Sequence, residues 1–162
     1  MSSTFRFGAG GLSERGEGGH SESPHTRPLA SLHSSRGVAL CDADDDGDLD
    51  MLIVDVGEPP RGLRNDTIRQ GRWIGVHTVG TWSNRDGYGS KVTVHAQGKR
   101  WTREVRAANG LFSSQDPRLI IGLGQVRGVD RVEVRWPDGG LQVVEFPALD
   151  AMLTVKEDAS NR

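Results

Sequence analysis

From Arg36 onward the chain is a succession of short apolar runs cut by glycine, proline or acidic turns. Gly37-Val38-Ala39-Leu40-Cys41 and Met51-Leu52-Ile53-Val54-Asp55-Val56 come first, on either side of an aspartate-rich stretch. Their length and partly β-branched composition predict two strands joined by a loop. Neither alternates cleanly, so both faces of this pair are expected to be covered. Beyond Pro59-Pro60, strands are predicted at 73–79, 91–95, 101–106, 119–123, 131–136, 141–146 and 152–155. Several alternate with period two, and Asp86-Gly87, Gln97-Gly98, Asn109-Gly110 and Asp138-Gly139 supply the turns between them. No segment carries a helical stripe. The fold class expected is all-β: a hairpin joined by the aspartate-rich loop, then a β-sandwich or small barrel. Trp73, Val92, Val94, Leu123, Val132 and Val134 are its expected core.

Residues 1–35 break the pattern. They hold six glycines, eight serines, two prolines and three histidines with almost no apolar period, and such a segment buries too little surface to offset its ordering entropy. The organisation expected is a disordered segment over 1–35, a hairpin unit over 36–68, a β domain over 69–157 and a tail over 158–162.

Charge sharpens the picture. The net charge of −2 conceals an acidic first part and a basic remainder: residues 1–60 carry four arginines against eleven acids. Six of those acids fall within 42–50, a density that repels itself unless a cation joins it. Cys41 is the single cysteine, which excludes an intrachain disulfide and a thiolate metal cluster. No apolar run approaches the length of a membrane span. The first 30 residues lack the apolar core of an export signal, so none is expected in this chain.

The acidic stretch is Asp42-Ala43-Asp44-Asp45-Asp46-Gly47-Asp48-Leu49-Asp50. Counted from Asp42, carboxylates occupy positions 1, 3, 5, 7 and 9, with glycine at 6. Alternate oxygens in a tight turn suit Ca²⁺, which takes six to eight of them at about 2.3–2.6 Å. Glycine suits the sharp turn because it tolerates positive φ. The expected ligands are Asp42, Asp44, Asp46 and Asp50 through side chains and Asp48 through its carbonyl. Ile53 stands where an EF-hand needs its bidentate glutamate, and strands flank the loop, so an ordinary EF-hand is excluded.

These residues carry a family likeness. Ser34 through Asp66 resembles one FG-GAP/VCBS repeat, the blade unit of integrin-type propellers. The remainder resembles the ASPIC/UnbV domain through Trp73-Ile74, Ser83-Asn84-Arg85-Asp86-Gly87-Tyr88-Gly89-Ser90-Lys91-Val92, Arg103-Glu104-Val105-Arg106, Ser114-Gln115-Asp116-Pro117-Arg118-Leu119, Gly122-Leu123-Gly124 and Val134-Arg135-Trp136-Pro137-Asp138-Gly139. The pair is similar to the cartilage acidic protein family and its bacterial relatives. That resemblance implies a secreted or periplasmic, calcium-binding, non-enzymatic binding or adhesion protein whose partner is a protein or a glycan. One repeat where a propeller needs several, together with the absent signal, implies a member shortened at its N-terminus. Cys41 stands where the family has glycine or another small residue.

Other candidates are weaker. His20, His25, His33, His77 and His95 have no partner at metal-ligand spacing. Cys41 sits beside carboxylates that disfavour its thiolate. Gly8-Ala9-Gly10-Gly11 fits no phosphate motif. Lys99 to Arg106 reads as the wet face of a sheet, not a nucleic-acid surface, because Glu104 interrupts its charge. A lone blade exposes apolar faces and strand edges, which predicts self-association. The rival reading is a carbohydrate-active enzyme or its sugar-binding accessory domain using Trp82 or Trp101 with Asp116. Paired aromatics and acids in a cleft would favour it, and a flat polar sheet would favour the binding module.

Overall fold

The computed structural model describes residues 4–7, 33–110 and 113–158. All regular structure there is strand: β1 Thr4–Phe7, β2 Ser35–Cys41, β3 Asp50–Asp55, β4 Arg61–Asn65, β5 Arg72–Val79, β6 Lys91–Ala96, β7 Lys99–Glu104, β8 Leu119–Gly124, β9 Arg131–Arg135, β10 Leu141–Glu145 and β11 Met152–Lys156. They form three open sheets, ordered β1-β4-β3-β2, β10-β9-β6-β7 and β11-β5-β8. None closes on itself, so of sandwich and barrel the sandwich arrangement holds.

The second and third sheets bury one apolar face each. In β6 and β9 the alternation turns Val92, Val94, Ala96, Val132 and Val134 inward, each fully buried. Ile74 and Val76 of β5, Ile121 and Leu123 of β8 and Val155 of β11 complete the same cluster. A buried valine of this kind contributes about 1.5–3 kcal/mol relative to exposure. The opposite face of this four-stranded sheet is polar across β6, β7 and β9, while β10 adds the exposed Leu141 and Val143 to it. Registered pairs set Lys91 beside Glu104 and Arg135, Thr93 beside Thr102 and Glu133, and His95 beside Arg100 and Arg131. The Thr93 and Thr102 hydroxyls meet at 3.0 Å in its middle.

The first sheet differs from expectation in three ways. The pair β2–β3 extends into four strands: β3 pairs antiparallel with β4, and β4 pairs parallel with β1. Thr4–Phe7 therefore forms a strand inside the stretch expected to be disordered, and Ser35, at its other end, opens β2; residues 1–3 and 8–32 of that stretch lie outside the described residues. β4 escapes sequence reading because Arg61-Gly62-Leu63-Arg64-Asn65 offers one apolar side chain, the buried Leu63. Finally, the strands are not covered on both faces. Leu52, Val54 and Val56 share one face and are 42 %, 45 % and 59 % exposed.

Trp73 is buried as expected but lies outside the central cluster. It points to the other face of β5, against the aspartate loop. The strand β5 is thus central twice over, pairing with β8 on one side and β11 on the other.

Candidate metal centre

The loop between β2 and β3 is organised by its own carboxylates. Asp42 Oδ1 accepts the Asp46 N–H at 3.0 Å and Oδ2 accepts the Gly47 N–H at 2.9 Å. Asp50 Oδ2 accepts the Ala43 N–H at 2.9 Å, while its Oδ1 accepts the Asn65 N–H at 2.8 Å and so ties the loop to β4. Asp45 and Gly47 both take positive φ, +58° and +85°. Aspartate tolerates that conformation and glycine adopts it freely.

This folding gathers three carboxylates. Asp42, Asp44 and Asp50 each offer one oxygen, and the three lie within 4.8 Å of one another. That spacing fits a shared Ca²⁺, because two oxygens on opposite sides of an ion at about 2.4 Å are about 4.8 Å apart. Asp42 and Asp50 are buried, and each bonded carboxylate oxygen keeps a further lone pair for a metal. Asp48 is not one of the three, and its Oδ1 is buried without a hydrogen-bond partner. Burial first, then Asp46 and Asp50, push the Asp48 carboxyl up to about 6. Burial also raises Asp42, partly offset by the Gly47 and Asp46 N–H groups. Asp46 stands apart from the trio, accepting the Asp48 N–H at 3.0 Å with Arg69 3.6 Å away. The donor set is hard oxygen, which suits Ca²⁺ over softer metals.

The local excess of negative charge is relieved partly by protein cations, which the charge count alone did not anticipate. Arg64 lies 3.4 Å from Asp44, Arg69 3.6 Å from Asp46, and Arg118 2.7 Å from Asp45. Among the described residues Asp42, Asp48 and Asp50 have no such partner. Arg118 is the residue that sequence reasoning missed. Its guanidinium also donates to the Asp42 carbonyl at 2.7 Å and pairs with Asp116 at 2.6 Å. These contacts hold its pKa above the ordinary value. The available signal was the complementarity of an acidic first part and a basic remainder.

A second cluster also escaped. His33 Nδ1 lies 2.9 Å from Glu58 Oε2, and both lie near Asp55, so one histidine does find carboxylate partners. Asp55, however, is engaged by the Arg61 guanidinium and the Ser35 hydroxyl, each at 2.6 Å. Those bonds lower its pKa and engage both of its carboxylate oxygens. Cys41 behaves as the sequence implies: burial, Asp116 and Asp50 raise its thiol.

The groups of the rival reading are not brought together. An open cleft of about 600 Å³ contains Asp116 in its wall but neither Trp82 nor Trp101. Trp82 is 59 % exposed, and Trp101 packs against the core. Asp116 is held by Arg118, and Glu104, the other acid of the cleft, lies 2.9 Å from Arg106.

The family model described as ASPIC and UnbV matches residues 80–162. The match begins just after β5, although β5 is the middle strand of its sheet. No curated protein matches the chain.

Proposed function

The chain belongs to the ASPIC and UnbV family, and on that footing we propose that it is a calcium-binding, non-enzymatic binding or adhesion module of a secreted-type protein. Calcium organises the Asp42–Asp50 loop, and the polar sheet face presents a surface to a protein or glycan partner. The observation that carries this reading is the approach of one oxygen each from Asp42, Asp44 and Asp50 to within 4.8 Å of one another. No helix among the described residues is long and apolar enough to cross a membrane.

The loop-bearing antiparallel strands β2, β3 and β4 support an FG-GAP-type repeat over 36–68, with β1 from outside that span adding the fourth strand of the sheet. An extracellular or periplasmic location follows from that likeness. The exposed stripe of Leu52, Val54 and Val56 on this sheet supports self-association through a second copy. The carbohydrate-active alternative is less well supported, because its aromatics and acids are scattered and its acids are ion-paired.

Isothermal calorimetry tests the reading. Calcium binds the wild-type chain with a dissociation constant of about 10⁻⁴–10⁻³ M, the range of extracellular modules. Asp44→Ala removes the exposed ligand and abolishes most of the heat. Identical heats for the two proteins reject the calcium site.

A further inference from the structure

Of the three carboxylates gathered in the aspartate loop, two are sheltered and one is not. Asp42 and Asp50 are buried and accept backbone N–H groups. Asp44 is exposed, and a cation faces it: Arg64 Nη1 lies 3.4 Å from Asp44 Oδ2.

Two restraints hold Arg64 in that place. Its guanidinium is fixed on Asp66, with Nε donating to Oδ1 at 2.8 Å and Nη2 2.6 Å from the same oxygen. That leaves Nη1 as the end turned to Asp44. The backbone of β4 is fixed as well, because the next residue, Asn65, donates its N–H to Asp50 Oδ1 at 2.8 Å.

Three arginines approach the loop, but they pair with different acids. Arg69 is 3.6 Å from Asp46, and Arg118 is 2.7 Å from Asp45. Neither acid belongs to the trio whose oxygens lie within 4.8 Å of one another. Of the three arginines, Arg64 is the one whose ion pair is with a member of that trio.

A cation fixed there opposes a second one. If Asp44 Oδ2 binds calcium at about 2.4 Å, the ion lies no more than about 6 Å from Arg64 Nη1. A unit charge at that distance from a divalent ion in water weakens its binding by about tenfold, and by about threefold once 0.1 M salt screens it. In the empty loop the same charge is stabilising, because it relieves repulsion among the gathered carboxylates.

We propose that Arg64 is a built-in competitor of calcium: it neutralises Asp44 while the loop is empty, and it lowers the affinity of the loop for the ion. The inference rests on the reading of the Asp42–Asp50 loop as a calcium site and says what tunes that site.

Calorimetry of calcium binding to the full chain tests it, with Arg64→Gln, Arg64→Met and Arg64→Lys beside the wild type. At about 0.1 M potassium chloride the two neutral variants should bind roughly threefold more tightly than wild type, and at about 1 M the difference should nearly vanish, because the screening length falls to about 3 Å. Arg64→Lys keeps the charge and should stay near the wild-type constant. In chelator the Ala43, Asp46 and Gly47 amides should exchange faster in Arg64→Gln, while those of β6 and β9 keep wild-type rates and show that the fold is intact. Equal or weaker calcium binding by both neutral variants overturns the inference, since that is the result expected of an arginine that orients Asp44 for the ion. A lysine variant that binds as tightly as the neutral ones overturns it too. Absence of calcium heat from every protein rejects the calcium site itself, whereas heat that the Arg64 substitutions leave unchanged rejects only the competition.

Discussion

Gly47 lies so close to the indole of Trp73 that a methyl group at Gly47 would overlap Cε2, Cδ2 and Cζ2 of the ring. Arg69 covers the same indole, its guanidinium carbon 5.4 Å from a ring centroid. The aspartate loop and the central strand of the third sheet therefore share one packing contact. Gly47→Ala forces both a strained φ of +85° and a displaced indole. The expected cost is about 2–3 kcal/mol, with a shifted tryptophan emission. A melting temperature equal to wild type would show that the loop is not anchored on Trp73.

Arg118 is the polar counterpart of that contact. Arg118→Met keeps the stem but removes the bonds to Asp45, Asp116 and the Asp42 carbonyl. Hydrogen exchange of the Ala43, Asp46 and Gly47 amides should accelerate by about tenfold, equivalent to some 1.4 kcal/mol of lost local protection. Amides of β6 and β9 should be unchanged; uniform acceleration across all sheets would instead mean that Arg118 supports global stability.

Glu157 gives a pH dependence with a definite sign. Burial raises its pKa, but N–H groups of Ser83, Thr81 and Trp82 and the Ser83 hydroxyl outweigh that and bring it from 4.5 to about 2. A depressed pKa stabilises the fold fully above the unfolded value near 4.5. That stability disappears as pH falls toward 2, with a contribution of about 3 kcal/mol. Glu157→Gln should be less stable at pH 7 and lose this acid-side slope. Urea midpoints at several pH values check it, and an unchanged slope in the variant would assign the acid transition to other groups.

The exposed stripe on β3 predicts behaviour in concentrated solution. Leu52→Lys with Val54→Lys places charges on the open face without entering the buried side of the strand. In sedimentation velocity the wild type should associate, more so with calcium, which neutralises the repelling loop, and the double variant should stay monomeric. A wild type that is monomeric at all calcium levels removes self-association from the proposal.

Legibility in the sequence followed locality. β5, β6 and β8 to β11 announce themselves because alternation and Gly-containing turns are both local signals. β4 does not: one leucine among two arginines, a glycine and an asparagine becomes a strand only because β3 and β1 flank it. The trio Asp42, Asp44 and Asp50 was readable from spacing, whereas Asp46 was turned aside by Arg69 and the Asp48 amide. Trp73 was recognisable as buried, but not what buries it, because the loop that does so belongs to a different sheet. Arg118 meets Asp42 and Asp45 across more than seventy residues, a distance over which sequence pattern carries only charge balance.

The pairing of β11 with β5 has a consequence in time. Met152 to Lys156 lies alongside Gly75 to Val79, and Glu157 then caps Thr81 to Ser83 over a separation of 74–76 residues. Contacts of that span must wait for a large loop to close, which places folding on the slow, millisecond-to-second side of small domains. On the ribosome, Trp73 and its strand emerge long before the neighbour that completes them. During that interval β5 has a bare edge in a crowded cell, and the cost of the architecture is borne by the nascent chain, not by the finished one.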